Sequence, residues 1–186
     1  MAEPARQLAT YDELCALPDH VVGEIVSGML HSSPRPAPRH ALAASALGGE
    51  LEFSFRRGKG GPGGWIILDE PELHLMSHVL VPDLAGWRRE RMPELPTDKA
   101  YLDLAPDWVC EVLSPSTAAL DRGAKREAYR EQGVSHLWFV DPEAKTHENF
   151  VLDGPGYRLF EVHSGHSLIR AVPFDAVEID LGALWA

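Results

Sequence analysis

The sequence predicts a single domain of mixed α and β elements, and three observations lead there. The chain has 186 residues, enough for one sizeable core. Short strand-like apolar runs alternate with stretches whose apolar residues recur every three or four positions. Two of the runs, Leu80-Val81-Pro82-Asp83-Leu84-Ala85 and Trp108-Val109-Cys110-Glu111-Val112-Leu113, each hold one acid among apolar neighbours. A lone carboxylate is costly to bury unless it is paired or binds a cation. Two such acids suggest adjacent strands presenting both to one metal ion, an arrangement by which a hydrolase activates water against a phosphodiester.

The elements follow in order. Thr10-Tyr11-Asp12-Glu13 has the form of a capping box and predicts a short helix that stops at Pro18. Residues 21–26 and 29–31 flank Ser27-Gly28 and predict a hairpin with a tight turn. Residues 32–38 are proline-rich and extended, and Pro38 suits the first turn of a helix. Leu42, Ala46, Leu47, Leu51 and Phe55 then mark the longest amphipathic helix, with Gly48-Gly49 in its middle working against it. Residues 58–64 are glycine-rich but lack the Lys-Ser/Thr ending of a phosphate-cradling loop, so they read as a connection. Strands are predicted at 65–68, 72–75 and 79–87, followed by a polar, proline-containing excursion over 88–104 with room for a short helix. Residues 108–113 form the central strand. Ser116 or Thr117 caps a helix over 118–132, with Gly133 as its C′ residue. A strand at 136–140 ends at Asp141-Pro142. Residues 146–152 and 157–162 make a C-terminal hairpin around the turn 153–156, and 177–181 form a short acidic finish.

Composition narrows the setting. No apolar run approaches the roughly 20 residues that span a bilayer, so no membrane association is expected. Residues 1–10 lack the apolar core of a secretory signal, which makes a cytoplasmic location the expectation. Cys15, in a helix, and Cys110, in a buried strand, have no zinc-ligand spacing and read as reduced core thiols. The formal net charge of −11 weighs against a nucleic-acid binder, because phosphate binding relies on basic patches. Acids clustered around a divalent cation would remove part of that excess. Arg56-Arg57-Gly58-Lys59 and Arg88-Arg89-Glu90-Arg91 are either solvated surface or phosphate tracks.

Strand alternation puts Val109, Glu111 and Leu113 on one face and Trp108, Cys110 and Val112 on the other. Glu111 among aliphatic residues calls for a metal cation or, as the other reading, a buried bridge to lysine or arginine. Asp83 belongs either to a Pro-Asp turn or to a strand, and the aliphatic residues around it favour the strand. Asp121, Lys125 and Tyr129 share one helix face. Asp121 with Lys125 reads as a surface ion pair worth a few tenths of a kcal/mol. Alternatively, the helix folds back across the Glu111 strand and brings the Lys125 ammonium to the metal, where it holds the attacking water or stabilises the transition state.

Several stretches together resemble the PD-(D/E)XK nuclease superfamily, with its restriction-endonuclease-like fold, and more closely the Uma-type family of bacterial endonucleases. They are Gly23-Glu24-Ile25-Val26-Ser27-Gly28-Met29-Leu30, Pro38-Arg39-His40, Val81-Pro82-Asp83-Leu84, residues 106–117, Asp121-Arg122-Gly123-Ala124-Lys125, Gly133-Val134 and Trp138-Phe139-Val140-Asp141-Pro142. The resemblance implies a restriction-endonuclease-like central mixed β-sheet flanked by helices, with added β-hairpins. It implies that Asp83 is the Pro-Asp metal ligand and Glu111 the acid of the (D/E)XK element. Glu24 matches an early glutamate that completes the metal site or forms a strand-end salt bridge, and Glu72 is a further acid that would approach the cluster. The lysine position of the pattern holds Leu113, which can neither donate a proton nor orient water, and Lys125 from the next helix is the substitute. His40 and Tyr129 are candidates for substrate contact, with a solvent-facing His40 as the alternative.

Hard oxygen ligands without a thiolate cluster suggest magnesium or manganese. The implied function is metal-dependent hydrolysis of DNA phosphodiester bonds. Two other readings remain: a nuclease fold kept as a binding or regulatory module without turnover, and a structural domain whose acids are bridged to arginines. A homodimer is expected, with the C-terminal hairpin and Leu184-Trp185 as its surface.

Overall fold

The computed structural model describes residues 8–185. Residues 1–7, on which most of the secretion argument rests, lie outside the described residues. The chain runs α1 (Tyr11–Cys15), β1 (Val21–Val26), β2 (Met29–Pro34), α2 (Pro38–Leu51), β3 (Trp65–Asp69), β4 (Leu73–Leu75), β5 (His78–Leu80), β6 (Leu84–Arg88) and β7 (Trp108–Val112). It continues with α3 (Ala118–Leu120), α4 (Arg126–Glu131), β8 (His136–Asp141), β9 (Thr146–Asp153), β10 (Gly156–Ser164), β11 (Leu168–Ile169) and β12 (Ile179–Asp180).

A six-stranded sheet in the order β10-β9-β8-β7-β6-β3 forms the centre. Its β7–β8 pair is parallel and its other pairs are antiparallel, so the sheet is mixed as the sequence implied. A second, antiparallel sheet has the order β2-β1-β5-β4. The alternation read from the β7 sequence sorts the core into two halves. Trp108, Cys110 and Val112 pack with Leu47, Leu51 and Phe55 of the α2 region and with the C-terminal Phe174, Leu181 and Leu184. Val109 and Leu113 pack on the other side with Ala128 and Tyr129 of α4 and with Leu73 and Leu80 of the smaller sheet. The central mixed sheet is therefore flanked by helices, in a mixed α+β fold.

The capping box of Thr10 and Glu13 forms as the spacing predicts. Gly48 has a packing reason for its place in α2: a Cβ there would lie 3.1 Å from Asp69 Oδ1 and 3.2 Å from Leu84 Cδ2. Its bare backbone lets α2 approach β3 and β6. The helix then ends in a π-helical turn, Glu52–Arg56.

Several expectations are corrected. Residues 79–87 are two strands in different sheets, because Pro82 has no N–H to continue a ladder. The excursion over 88–104 holds turns and no helix, although Leu102 bridges to Leu73. The helix over 118–132 is α3 and α4 joined by a π-helical turn, Asp121–Lys125. Cys15 is exposed and only Cys110 is buried. Leu184 and Trp185 lie in the core, with the Trp185 indole donating to Gly165 O at 2.8 Å, so they present no dimer surface. Among the described residues no helix is long and apolar enough to cross a membrane.

Phe174 closes the α2 side of the core. Its ring centroid lies 4.7 Å from those of Phe55 and Trp65, 4.9 Å from Trp108 and 5.6 Å from Trp138. Phe174→Ala is expected to cost about 3–5 kcal/mol, read as a lower denaturant midpoint at unchanged slope. A loss below about 1 kcal/mol would show that the segment after β11 does not anchor the core.

Candidate active site

The site forms where the two sheets meet. Antiparallel pairing of Leu84 with Cys110 places Asp83, one residue earlier, opposite Glu111. Asp83 Oδ2 accepts the Val112 N–H at 2.7 Å, so the side chain prolongs the ladder that Pro82 interrupts. Its Oδ1 lies 3.2 Å from His40 Nε2 in the first turn of α2. Glu24 comes from β1 of the smaller sheet, and its Oε1 accepts the Val81 N–H at 2.8 Å. Glu111 projects from β7 toward the α3–α4 side, where its Oε1 accepts the Tyr129 hydroxyl.

Lys125 joins these acids. Its Nζ lies 2.9 Å from Glu24 Oε1, 2.9 Å from Glu111 Oε1 and 3.5 Å from Asp121 Oδ1. Asp121 and Lys125 stand at the two ends of the π-helical turn, and both are buried. An inserted π turn of this kind re-aims side chains and is frequent at functional sites. With 3% and 4% of their side-chain surfaces accessible, Lys125 and Asp121 are not the exposed ion pair that their spacing also allowed. A cavity of about 270 Å³ opens over Glu24, His40, Asp83, Glu111, Asp121 and Lys125.

Three carboxylates thus face one ammonium in a desolvated space, with Asp83 lining the same cavity. Burial pushes the Glu111 carboxyl well above its usual range; Lys125 opposes this, while Asp121, Asp83 and Glu24 add to it. Burial likewise raises Asp121 against the pull of Lys125. For Lys125, burial would favour the neutral amine, but Glu111 and Glu24 outweigh it and hold the ammonium well above its ordinary range. Burial and the Glu111 charge keep Tyr129 a phenol that donates. Burial pulls His40 down, but the bonded Asp83 carboxylate outweighs it and the net shift is upward.

Other candidates fall elsewhere. Tyr129, expected near substrate, has no accessible surface and reaches only Glu111. His40 is buried on Asp83 rather than turned to solvent. Glu72 does not approach the cluster; it binds the Tyr11 hydroxyl at 2.8 Å and His74 Nε2 at 2.6 Å. Leu113 is packed in the same half of the core as Tyr129. Four of the six basic residues in the two clusters are engaged by other side chains: Arg56 and Arg57 pair with Glu52, Arg88 lies over Trp65, and Arg91 pairs with Asp107. None of the ion pairs made by Glu24, Asp83, Glu111 or Asp121 among the described residues involves an arginine. Asp121 is the acid that sequence reasoning left outside the site. Its four-residue spacing from Lys125 was visible, but that is also the commonest spacing of a surface pair.

The donor set fits a hard divalent cation in kind, with oxygen ligands and more negative charge than Lys125 neutralises. It is not preassembled. Among the described residues no three His, Cys, Asp or Glu side chains are grouped to hold a metal ion, and the Lys125 ammonium lies between Glu24 and Glu111.

Removing Lys125 tests this electrostatic balance. Lys125→Met is expected to cost about 3–5 kcal/mol at neutral pH, because it strands buried carboxylates. Glu111 and Asp121 already have raised pKa values, so the folded state binds their protons more tightly than the unfolded chain does. The destabilisation those charges cause is relieved as pH falls through the raised values toward the ordinary carboxylate range. Denaturation in chelator should therefore show a smaller loss at about pH 5.5 than at about pH 7.5, and an equal loss at both would contradict the balance described.

Comparison with known proteins agrees with this architecture. No curated protein matches the chain. A solved structure from Anabaena variabilis, described as "a putative nuclease belonging to DUF820", superposes with a TM-score of 0.75. It shares 20% sequence identity, and the match covers 95% of this chain and 97% of that one, which establishes a shared fold. The model of the family Uma2, described as "Putative restriction endonuclease", matches residues 8–182. The chain belongs to the Uma2 family.

Proposed function

We propose that this protein is a metal-dependent endonuclease that hydrolyses phosphodiester bonds of DNA. The observation that carries the reading is the excess of carboxylate in one cavity, where Glu24, Glu111 and Asp121 share one lysine and Asp83 lines the same space. The family description and the shared nuclease fold support the reaction class. Glu24, Asp83 and Glu111 would hold magnesium or manganese, which when bound supplies positive charge beside the scissile phosphate and acidifies water.

The chain's own groups divide the remaining work. The Val112 amide and His40 fix the Asp83 carboxylate from two sides, while Tyr129 fixes Glu111. Lys125 takes the place of the lysine missing at Leu113. Its ammonium orients the attacking water or stabilises charge on the phosphate oxygens. In the hydrolysis, a water oxygen bonds to phosphorus, the bond from phosphorus to one sugar oxygen breaks, and that oxygen leaves with a proton derived from the water.

The second reading, a binding module without turnover, is favoured by one observation: Lys125 is engaged by Glu24 and Glu111. Isosteric substitutions separate the two. Asp83→Asn and Glu111→Gln should each lower magnesium-dependent hydrolysis about 100-fold or more and weaken magnesium binding, with circular dichroism unchanged. Tyr129→Phe should lower the rate by about 10-fold, through a looser Glu111. Rates equal to the parent in both acid variants would remove the nuclease reading.

A further inference from the structure

We infer that the phosphodiester taken by this site belongs to a single strand and not to a double helix. The inference rests on the nuclease reading above and specifies its substrate.

Depth is the first observation. The side chains of Glu111, Lys125 and Asp121 keep only 3–4% of their surface accessible, Glu24 keeps 10% and Asp83 14%. These groups lie at the bottom of the cavity. Its walls are residues 33–37, the end of β2 and the segment after it, and residues 114–117, which follow β7. Pro34, Pro36 and Pro115 stand in those walls, and their fixed φ angles limit how far the walls can fold back. The cavity, at about 270 Å³, lies just below the range of about 300–1,000 Å³ typical of small-ligand sites. In a double helix each phosphate lies on a broad convex surface backed by the second strand. Such a surface cannot lower one phosphate to the floor of a space this size, whereas a bent single strand, free of its partner, can.

Charge is the second observation. Five carboxylates line the cavity, Glu70 with the four already named, against Arg35, Lys125 and the His40 imidazole bonded to Asp83. Arg35 is turned to the Asp19 carbonyl at 2.9 Å. A duplex carries about one negative charge per 1.7 Å and needs a basic surface along both strands. In the two basic clusters of the sequence Arg56, Arg57, Arg88 and Arg91 are held by Glu52, Trp65 and Asp107, and neither cluster lines the cavity. A single strand presents one row of phosphates and can offer them one at a time.

The rim supplies hydroxyls in place of cations. Ser114 Oγ lies 2.9 Å from Ser116 Oγ and 3.0 Å from Thr117 Oγ1, and all three residues line the cavity. Donors of this kind position phosphate oxygens without reading bases, so cleavage should tolerate sequence.

The test uses the full chain with magnesium and three substrates: bis(p-nitrophenyl) phosphate, a single-stranded oligodeoxynucleotide and the same sequence as a blunt duplex. Binding of the two labelled DNAs is followed in parallel by fluorescence anisotropy. The ester and the single strand should both be hydrolysed, and the single strand should be cut and bound at least about tenfold better than the duplex. Equal cleavage and binding of the duplex would overturn the inference and leave the nuclease reading intact. Hydrolysis of the ester alone would overturn the inference and the DNA substrate of the nuclease reading, leaving only a phosphodiesterase. Hydrolysis of none of the three would overturn the nuclease reading and the inference with it.

Discussion

The ammonium of Lys125, enclosed by Glu24, Glu111 and Asp121, is the interaction on which the rest of the site depends. Without a counter-charge these acids could not stay ionised in a space so poorly hydrated. With it, the carboxylates are held close and still outnumber the cations. A structural salt bridge would match charge with charge, whereas this cluster leaves charge over. That surplus separates this cluster from an ordinary buried ion pair, and it is the charge that the proposed cation would neutralise.

The same cluster ties folding to function. Glu24 reaches it from the smaller sheet, Glu111 from the central one, and Asp121 and Lys125 from the helical segment between β7 and β8. Glu24 also accepts the Val81 amide beside the Pro82 break, and Asp83 accepts the Val112 amide across it. The site is therefore complete only when both sheets and the π-helical turn have docked. Pro82 serves this junction by ending one ladder, so that the chain passes between sheets with an acid at the crossing.

Much of this was legible in the sequence, for physical reasons that can be named. Asp83 and Glu111 stand out because a carboxylate in an apolar run has few explanations. The face alternation of residues 108–113 correctly separated the two core halves, because a central strand is buried on both sides. What stayed hidden depended on tertiary placement. The π-helical turn has no sequence signature, so Asp121 looked like half of a surface pair. The spacing of Lys125, Asp121 and Tyr129 gave a shared face but not depth, and Tyr129 turned out to hold Glu111 rather than meet a ligand. Leu184 and Trp185 looked like an exposed apolar end and are core. Residues 79–87 looked continuous because aliphatic residues lie on both sides of the Pro82 break.

The central claim, that the surplus carboxylate exists to hold a hard divalent cation, is tested most directly by locating the ion. Crystals grown with manganese and measured near its absorption edge would give an anomalous difference map. The account requires a strong peak among Glu24, Asp83 and Glu111, with the Lys125 ammonium withdrawn from at least one of its carboxylate partners. A map with no peak in the cavity at saturating manganese, and Lys125 still bonded to both Glu24 and Glu111, would contradict it.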